Sequence, residues 1–185
     1  SQVGVPMTLS EISPEDEMAV IELGMSEPGE LTVIARIARP DLAVITNIGV
    51  SHIGQLGSQE AIFREKMTIQ DGLRDGGVLL LNGDDPFLSR ACGKPGCRTY
   101  YYGTGEACQY RALDIHMENG MPSFTADCRG RKIGVSLQVP GLHQVRNAMA
   151  ALAAADVSGV PLEAAGEGLG HFSGFARRQE IPPCT

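Results

Sequence analysis

The stretch Gly77-Val78-Leu79-Leu80-Leu81-Asn82 is apolar without alternation and closes on a polar residue. A strand covered on both faces has this pattern, and parallel sheets are built from such strands. Upstream, Leu42-Ala43-Val44-Ile45-Thr46-Asn47-Ile48 repeats it, and so does Met18-Ala19-Val20-Ile21-Glu22-Leu23-Gly24. Between the first two runs in chain order, Pro28-Gly29-Glu30 opens a helical stretch from Leu31 to Ala38 that stops near Pro40. Between the next two, Ser58 is the expected N-cap of a longer helix running to about Leu73. Strand, helix, strand, helix, strand implies right-handed βαβ units in an α/β fold with a mostly parallel sheet.

Downstream the pattern changes. Residues 98–102, 109–118, 121–128 and 131–139 read as strands. Asn119-Gly120 and Arg129-Gly130 join the last three as hairpins, so a small antiparallel β portion follows the parallel one. Two helices come next, Val145 to Val157 and Leu162 to Leu169. Residues 1–174 form one domain in this reading, and 175–185 a linker toward a further domain.

Composition bounds the function. The 185 residues are 43% apolar and 20% charged, with a formal charge of −7. That suits a soluble globular domain and offers no basic stripe for nucleic acid. No apolar run is long enough to span a bilayer, and the N-terminal residues lack the basic and apolar regions of a signal peptide. The five cysteines, at 92, 97, 108, 128 and 184, form no C-x-x-C pair. Free thiols in a reducing cytoplasm are the expectation.

Four features bear on chemistry. Glu22 stands near the end of an apolar run, where a carboxylate either holds a cation or pairs with a neighbour. Asn47-Ile48-Gly49-Val50-Ser51-His52 leaves the next run at its carboxyl end, where open α/β sheets bind ligands. Lys66 shares a helical stripe with Ile62, Ile69 and Leu73. Burial there favours the neutral amine, which can take up CO₂ as a carbamate, whereas a snorkelling lysine would stay charged. Finally, His143 and Asn147 lie four apart at the start of the Ala-rich helix, a place suited either to an anion or to simple capping. No G-x-x-x-x-G-K-[ST] phosphate loop occurs, so weak ATP binding and no catalysis are expected of this stretch alone.

Together these motifs resemble the Mur ligases, cytoplasmic enzymes that use ATP to join amino acids or peptides to a UDP-N-acetylmuramoyl (UDP-MurNAc) precursor of peptidoglycan. Val20-Ile21-Glu22-Leu23-Gly24-Met25 with Pro28-Gly29-Glu30 is similar to the branch that adds D-alanyl-D-alanine, and so is Gly4-Val5-Pro6-Met7-Thr8-Leu9. Arg39-Pro40-Asp41, Thr46-Asn47-Ile48-Gly49, the spacing from His52 to Lys66, and Asn82-Gly83-Asp84-Asp85-Pro86 also fit. The resemblance implies the P-loop-like middle domain of such a ligase. It implies ATP and Mg²⁺ as cofactors, with UDP-MurNAc-peptide and D-Ala-D-Ala as partners held by other domains. Glu22, His52 and carbamylated Lys66 would serve the metal. Asn47, His143, Asn147 and Arg178 would serve the nucleotide, and His52 and Lys66 the chemistry. Two departures stand out. Gln144 replaces the family's usual asparagine, and Phe172 to Glu180 is more similar to the L-alanine-adding and tripeptide-recycling branches. Folylpolyglutamate-type and cyanophycin-type ligases, or a non-catalytic nucleotide-binding module, are the alternatives.

Overall fold

The computed structural model describes residues 2–51 and 53–174. These fall into two compact units: Ser1–Leu79 with Asp85–Thr99, and Leu80–Asp84 with the chain from Tyr100 on.

The first unit holds helices α1 (Gly4–Ser10), α2 (Glu30–Ala38), α3 (Ile53–Leu56) and α4 (Gln59–Met67), and strand β1 (Leu42–Ile45). Strands β2 (Val78–Asn82) and β3 (Arg98–Gly103) begin in it and run on into the second unit. The second unit adds β4 (Tyr110–Glu118), β5 (Met121–Cys128), β6 (Arg131–Ser136), α5 (His143–Val157) and α6 (Leu162–His171). Strand order follows chain order from β1 to β6.

Hydrogen bonds fix the strand directions. Val78 N–H at the start of β2 donates to Asp41 C=O just before β1 (3.0 Å), so these two strands run parallel. Arg98 N–H donates to Gly77 C=O where β3 and β2 begin, and Gly83 N–H to Tyr102 C=O where they end (2.9 and 2.8 Å), so they too run parallel. Tyr102 and Gly103 pair in parallel with Tyr110 and Arg111. The pairs β4–β5 and β5–β6 are antiparallel. Asn119 and Gly120 (φ 51° and 81°), and Arg129 and Gly130 (φ 57° and 91°), both turn with two positive φ angles. That is the type I′ geometry whose twist matches a hairpin. The sheet is thus mostly parallel with an antiparallel extension, as its sequence pattern implies.

All five residues of β2 are buried, as a parallel strand covered on both faces requires. In the first unit α2 buries Leu31, Ile34 and Ala35 and lies against the 3₁₀ turn Thr68–Asp71 and α1. Contact there is close: a Cβ on Gly72 would stand 2.0 Å from the Ala35 carbonyl oxygen. Its φ of −88° is ordinary, so this glycine is required by space and not by conformation. In the second unit α5 lays Val145, Ala148, Met149, Leu152 and Ala153 into the core against β4 and β5. Its alanines let the helix sit close to the sheet.

Three sequence expectations are corrected. Residues 18–24 form no strand; Val20 is 100% exposed, and Glu22 is exposed as well. Apolar side chains make a strand favourable only where backbone N–H and C=O groups find a ladder partner. Among the described residues no strand pairs with this run. Strand β1 stops at Ile45 and not at Ile48, because the Ile48 N–H is taken by a side chain. The helix expected from Ser58 to about Leu73 is α4 to Met67 followed by the tighter 3₁₀ turn. Its expected cap holds, with Ser58 Oγ accepting from Ala61 N–H at 3.1 Å.

Candidate functional site

In the first unit, the chain leaving β1 is gripped by three side chains. Lys66 Nζ donates to the Asn47 carbonyl at 2.7 Å. Asp85 Oδ2 accepts from Ile48 N–H at 2.8 Å. Gln59 Nε2 donates to the Ile48 carbonyl at 3.3 Å. Helix α4 supplies Lys66 and Gln59 from one cap-started run, and the turn after β2 supplies Asp85.

Lys66 is half-buried, between buried Ile62 and the half-buried Ile69 of the next turn. Burial pushes its ammonium below the usual lysine range, and the Asp85 carboxylate pulls the other way. Asp85 is buried, and its second oxygen accepts from Phe87 N–H and Leu88 N–H at 2.9 and 3.1 Å. In sequence Asp85 stands out only as part of Asn82-Gly83-Asp84-Asp85-Pro86. Its signal was an acid two residues after Asn82-Gly83 at the end of an apolar strand.

A second buried acid was also missed. Glu65 accepts from Gly29 N–H through both oxygens (2.9 Å each) and from Leu31 N–H (3.1 Å). It caps α2 from a distant part of the chain, where Gly29 itself has no side chain to do so. Nothing local to Pro28-Gly29-Glu30 announces this.

Glu22 does not join the Asn47–Lys66 cluster through any described hydrogen bond. His52 and Arg178 lie outside the described residues. Among the described residues, no three His, Cys, Asp or Glu side chains come together as a metal-binding group. The two buried acids of this unit, Glu65 and Asp85, are engaged by backbone N–H groups, so a Mg²⁺ ion here would have to be held by other side chains.

The second unit holds the other candidates. His143 and Asn147 are both exposed on the first turns of α5. The His143 ring folds back over Gly141, where a Cβ would stand 2.7 Å from the ring, and Gly141 has φ 106°. Asn147 Nδ2 donates to the Oε1 of buried Gln144 at 3.0 Å. Gln144 therefore fixes the orientation of the Asn147 amide. The helix start has no side-chain cap.

Residues 1–155 match the family model described as the Mur ligase middle domain. The chain belongs to the Mur ligase family. Among its relatives is the UDP-N-acetylmuramoyl-tripeptide–D-alanyl-D-alanine ligase of Bacillus subtilis (strain 168), 39% identical over 98% of this chain and 38% of the relative. The enzyme of the same name from Escherichia coli (strain K12) is 30% identical over 96% of the chain and 40% of the relative. A crystal structure of MurF from Acinetobacter baumannii superposes with a TM-score of 0.88 at 32% identity, covering 97% of this chain and 40% of that one. The chain thus spans about 40% of the length of these Mur ligases. No helix among the described residues is long and apolar enough to cross a membrane.

Proposed function

We propose that this chain is the ATP-binding middle segment of a ligase that adds D-alanyl-D-alanine to a UDP-MurNAc-tripeptide. The observation that carries the reading is the 39% identity to the Bacillus subtilis ligase along 98% of the chain. In the reaction, the terminal carboxylate of the tripeptide attacks the γ-phosphorus of ATP, giving an acyl phosphate and ADP. The dipeptide amine then attacks the acyl carbon, a tetrahedral intermediate forms, and phosphate leaves with the amide made. Phosphoryl transfer of this kind depends on positioning and charge neutralisation.

Within this reading Lys66 is the residue of most interest. Its half-buried amine, shifted toward the neutral form by desolvation, is suited to combine with CO₂ as a carbamate with release of a proton. Glu22, His52 and that carbamate are the proposed Mg²⁺ ligands. Asn147, held by Gln144, with His143, Asn47 and Arg178, is proposed for the nucleotide.

The test is a release assay for ADP on the whole protein that carries this chain. Release should require UDP-MurNAc-tripeptide and D-alanyl-D-alanine together. Release driven by L-alanine with UDP-MurNAc, by free tripeptide, or by glutamate with a folate would overturn the proposal in favour of another branch.

A further inference from the structure

One peptide group in the first unit is held at both ends. The carbonyl of Asn47 and the N–H of Ile48 belong to the same peptide bond. The first accepts from Lys66 Nζ at 2.7 Å and the second donates to Asp85 Oδ2 at 2.8 Å. The described chain contains no cis peptide, and a trans peptide points its C=O and N–H in opposite directions. Lys66 and Asp85 therefore grip the group from opposite sides. Hydrogen bonds to ionised side chains are the strong ones, and bonds in series polarise one another.

Asp85 is well placed to be the fixed end of this chain. Its Oδ1 accepts from Phe87 N–H and Leu88 N–H, so its own turn sets the rotation of the carboxylate. It stands in the turn just beyond the buried strand β2, three residues after Asn82. Lys66, by contrast, is a long side chain whose single described hydrogen bond is to Asn47. The acid beside it in sequence, Glu65, is committed to Gly29 and Leu31 and cannot replace that anchor.

We propose that Asp85 is a positioning residue for Lys66, acting through the Asn47–Ile48 peptide. By fixing the Ile48 N–H it aims the Asn47 carbonyl at the lysine amine and holds that amine at the carboxyl end of β1. Its effect on turnover rests on the ligase reading above; its effect on the placement of Lys66 does not.

Asp85→Ser separates the two tasks of the carboxylate. A serine hydroxyl can still accept from the N–H groups two and three residues on, but it is too short to serve Ile48 as well. Asp85→Asn is the second variant, which loses one acceptor and keeps the size. Both are made in the whole protein, alone and combined with Lys66→Ala, with thermal melts alongside. In the Lys66-containing protein either variant should lower kcat by roughly tenfold or more with KM little changed, the outcome of misplacing a group near the chemistry. In the Lys66→Ala background the same change should add almost nothing, because residues acting as one unit are not additive. Equal losses in both backgrounds, or a rise in KM with kcat intact, would overturn the proposal.

Acylation of Lys66 by a succinimidyl ester, followed by mass spectrometry, reads placement without activity. Because the Asp85 carboxylate also raises the Lys66 ammonium, the rates are compared in the high-pH limit where the amine is neutral in both proteins. A folded Asp85 variant should label severalfold faster there at Lys66 than wild type, and an unchanged limiting rate would overturn the proposal. A wild-type protein that releases no ADP with D-alanyl-D-alanine would sink the ligase reading alone, and the labelling rates would still decide the role of Asp85.

Discussion

Met18-Ala19-Val20-Ile21-Glu22-Leu23-Gly24 and Gly77-Val78-Leu79-Leu80-Leu81-Asn82 are similar in length and in apolar content. They end in opposite environments. Val20 is 100% exposed and forms no strand, whereas Val78 is 1% exposed and opens β2. What separates them is the company each keeps. β2 has β1 on one side and β3 on the other, so its backbone groups are paired and its side chains are covered. The earlier run has neither among the described residues. Apolar sequence proposes a strand; a ladder on each side makes it one.

The comparison breaks most readily at Leu80, which is 0% exposed. Leu80→Ala should cost about 3 kcal/mol, the lost transfer energy plus a cavity that close packing cannot refill. Chemical denaturation followed by circular dichroism measures it, and a loss below about 1 kcal/mol would put β2 on the same footing as the earlier run.

A smaller effect sharpens the contrast on the sheet side. Tyr110 begins β4, is buried, and donates its phenol to Asp156 Oδ2 at 2.8 Å. Arg131 binds the other oxygen of Asp156, and Arg129 lies over the Tyr100 ring at 5.0 Å. Burial first, then the bond to Asp156, pushes the Tyr110 phenol up to about 12. Its unfolded value is about 10, so the unfolded chain loses this proton first as pH rises. The contribution of Tyr110 is therefore whole below about pH 10 and is lost as pH climbs through about 12. Tyr110→Phe should cost about 1.5 kcal/mol at neutral pH, the worth of a hydrogen bond to a charged group. The same variant should flatten the alkaline fall in melting temperature; a fall as steep as wild type would remove Tyr110 as its source.

The smallest change is expected at Val20. Val20→Ser should alter the stability of this chain by less than about 0.5 kcal/mol, as an exposed position away from caps and cores does. A loss comparable to that of Leu80→Ala would mean that residues 18–24 are packed after all.

Sequence alone conveyed the elements whose signals are local. The Ser58 cap, the two hairpin turns and the five buried residues of β2 all declare themselves within a few residues. The strand ending at Ile45 and the exposed run at 18–24 do not, since the first is settled by a distant side chain and the second by the lack of a ladder partner among the described residues. The candidate site divides along the same line. The half-burial of Lys66 follows from its stripe with Ile62, but the peptide it holds is nineteen positions away, and no periodicity links the two. Glu65 and Asp85 were illegible as anchors, because a carboxylate aimed at backbone N–H groups leaves no mark on the residues it serves. Gln144, noted only as a departure from the family's asparagine, gains a task once its bond to Asn147 is seen.

Gly72 carries a consequence for how this chain can change over generations. A glycine needed for a positive φ can be exchanged for asparagine at modest cost, since asparagine tolerates that region. At Gly72 the obstacle is the Ala35 carbonyl, 2.0 Å from where a Cβ would stand, and every other amino acid has that atom. No single substitution at position 72 is a small step. Replacement requires α2 to move off the 3₁₀ turn in the same event, and with it Leu31, whose N–H is tied to Glu65 on α4. One missing methyl group thus couples two helices and a turn into a set that drifts together or not at all.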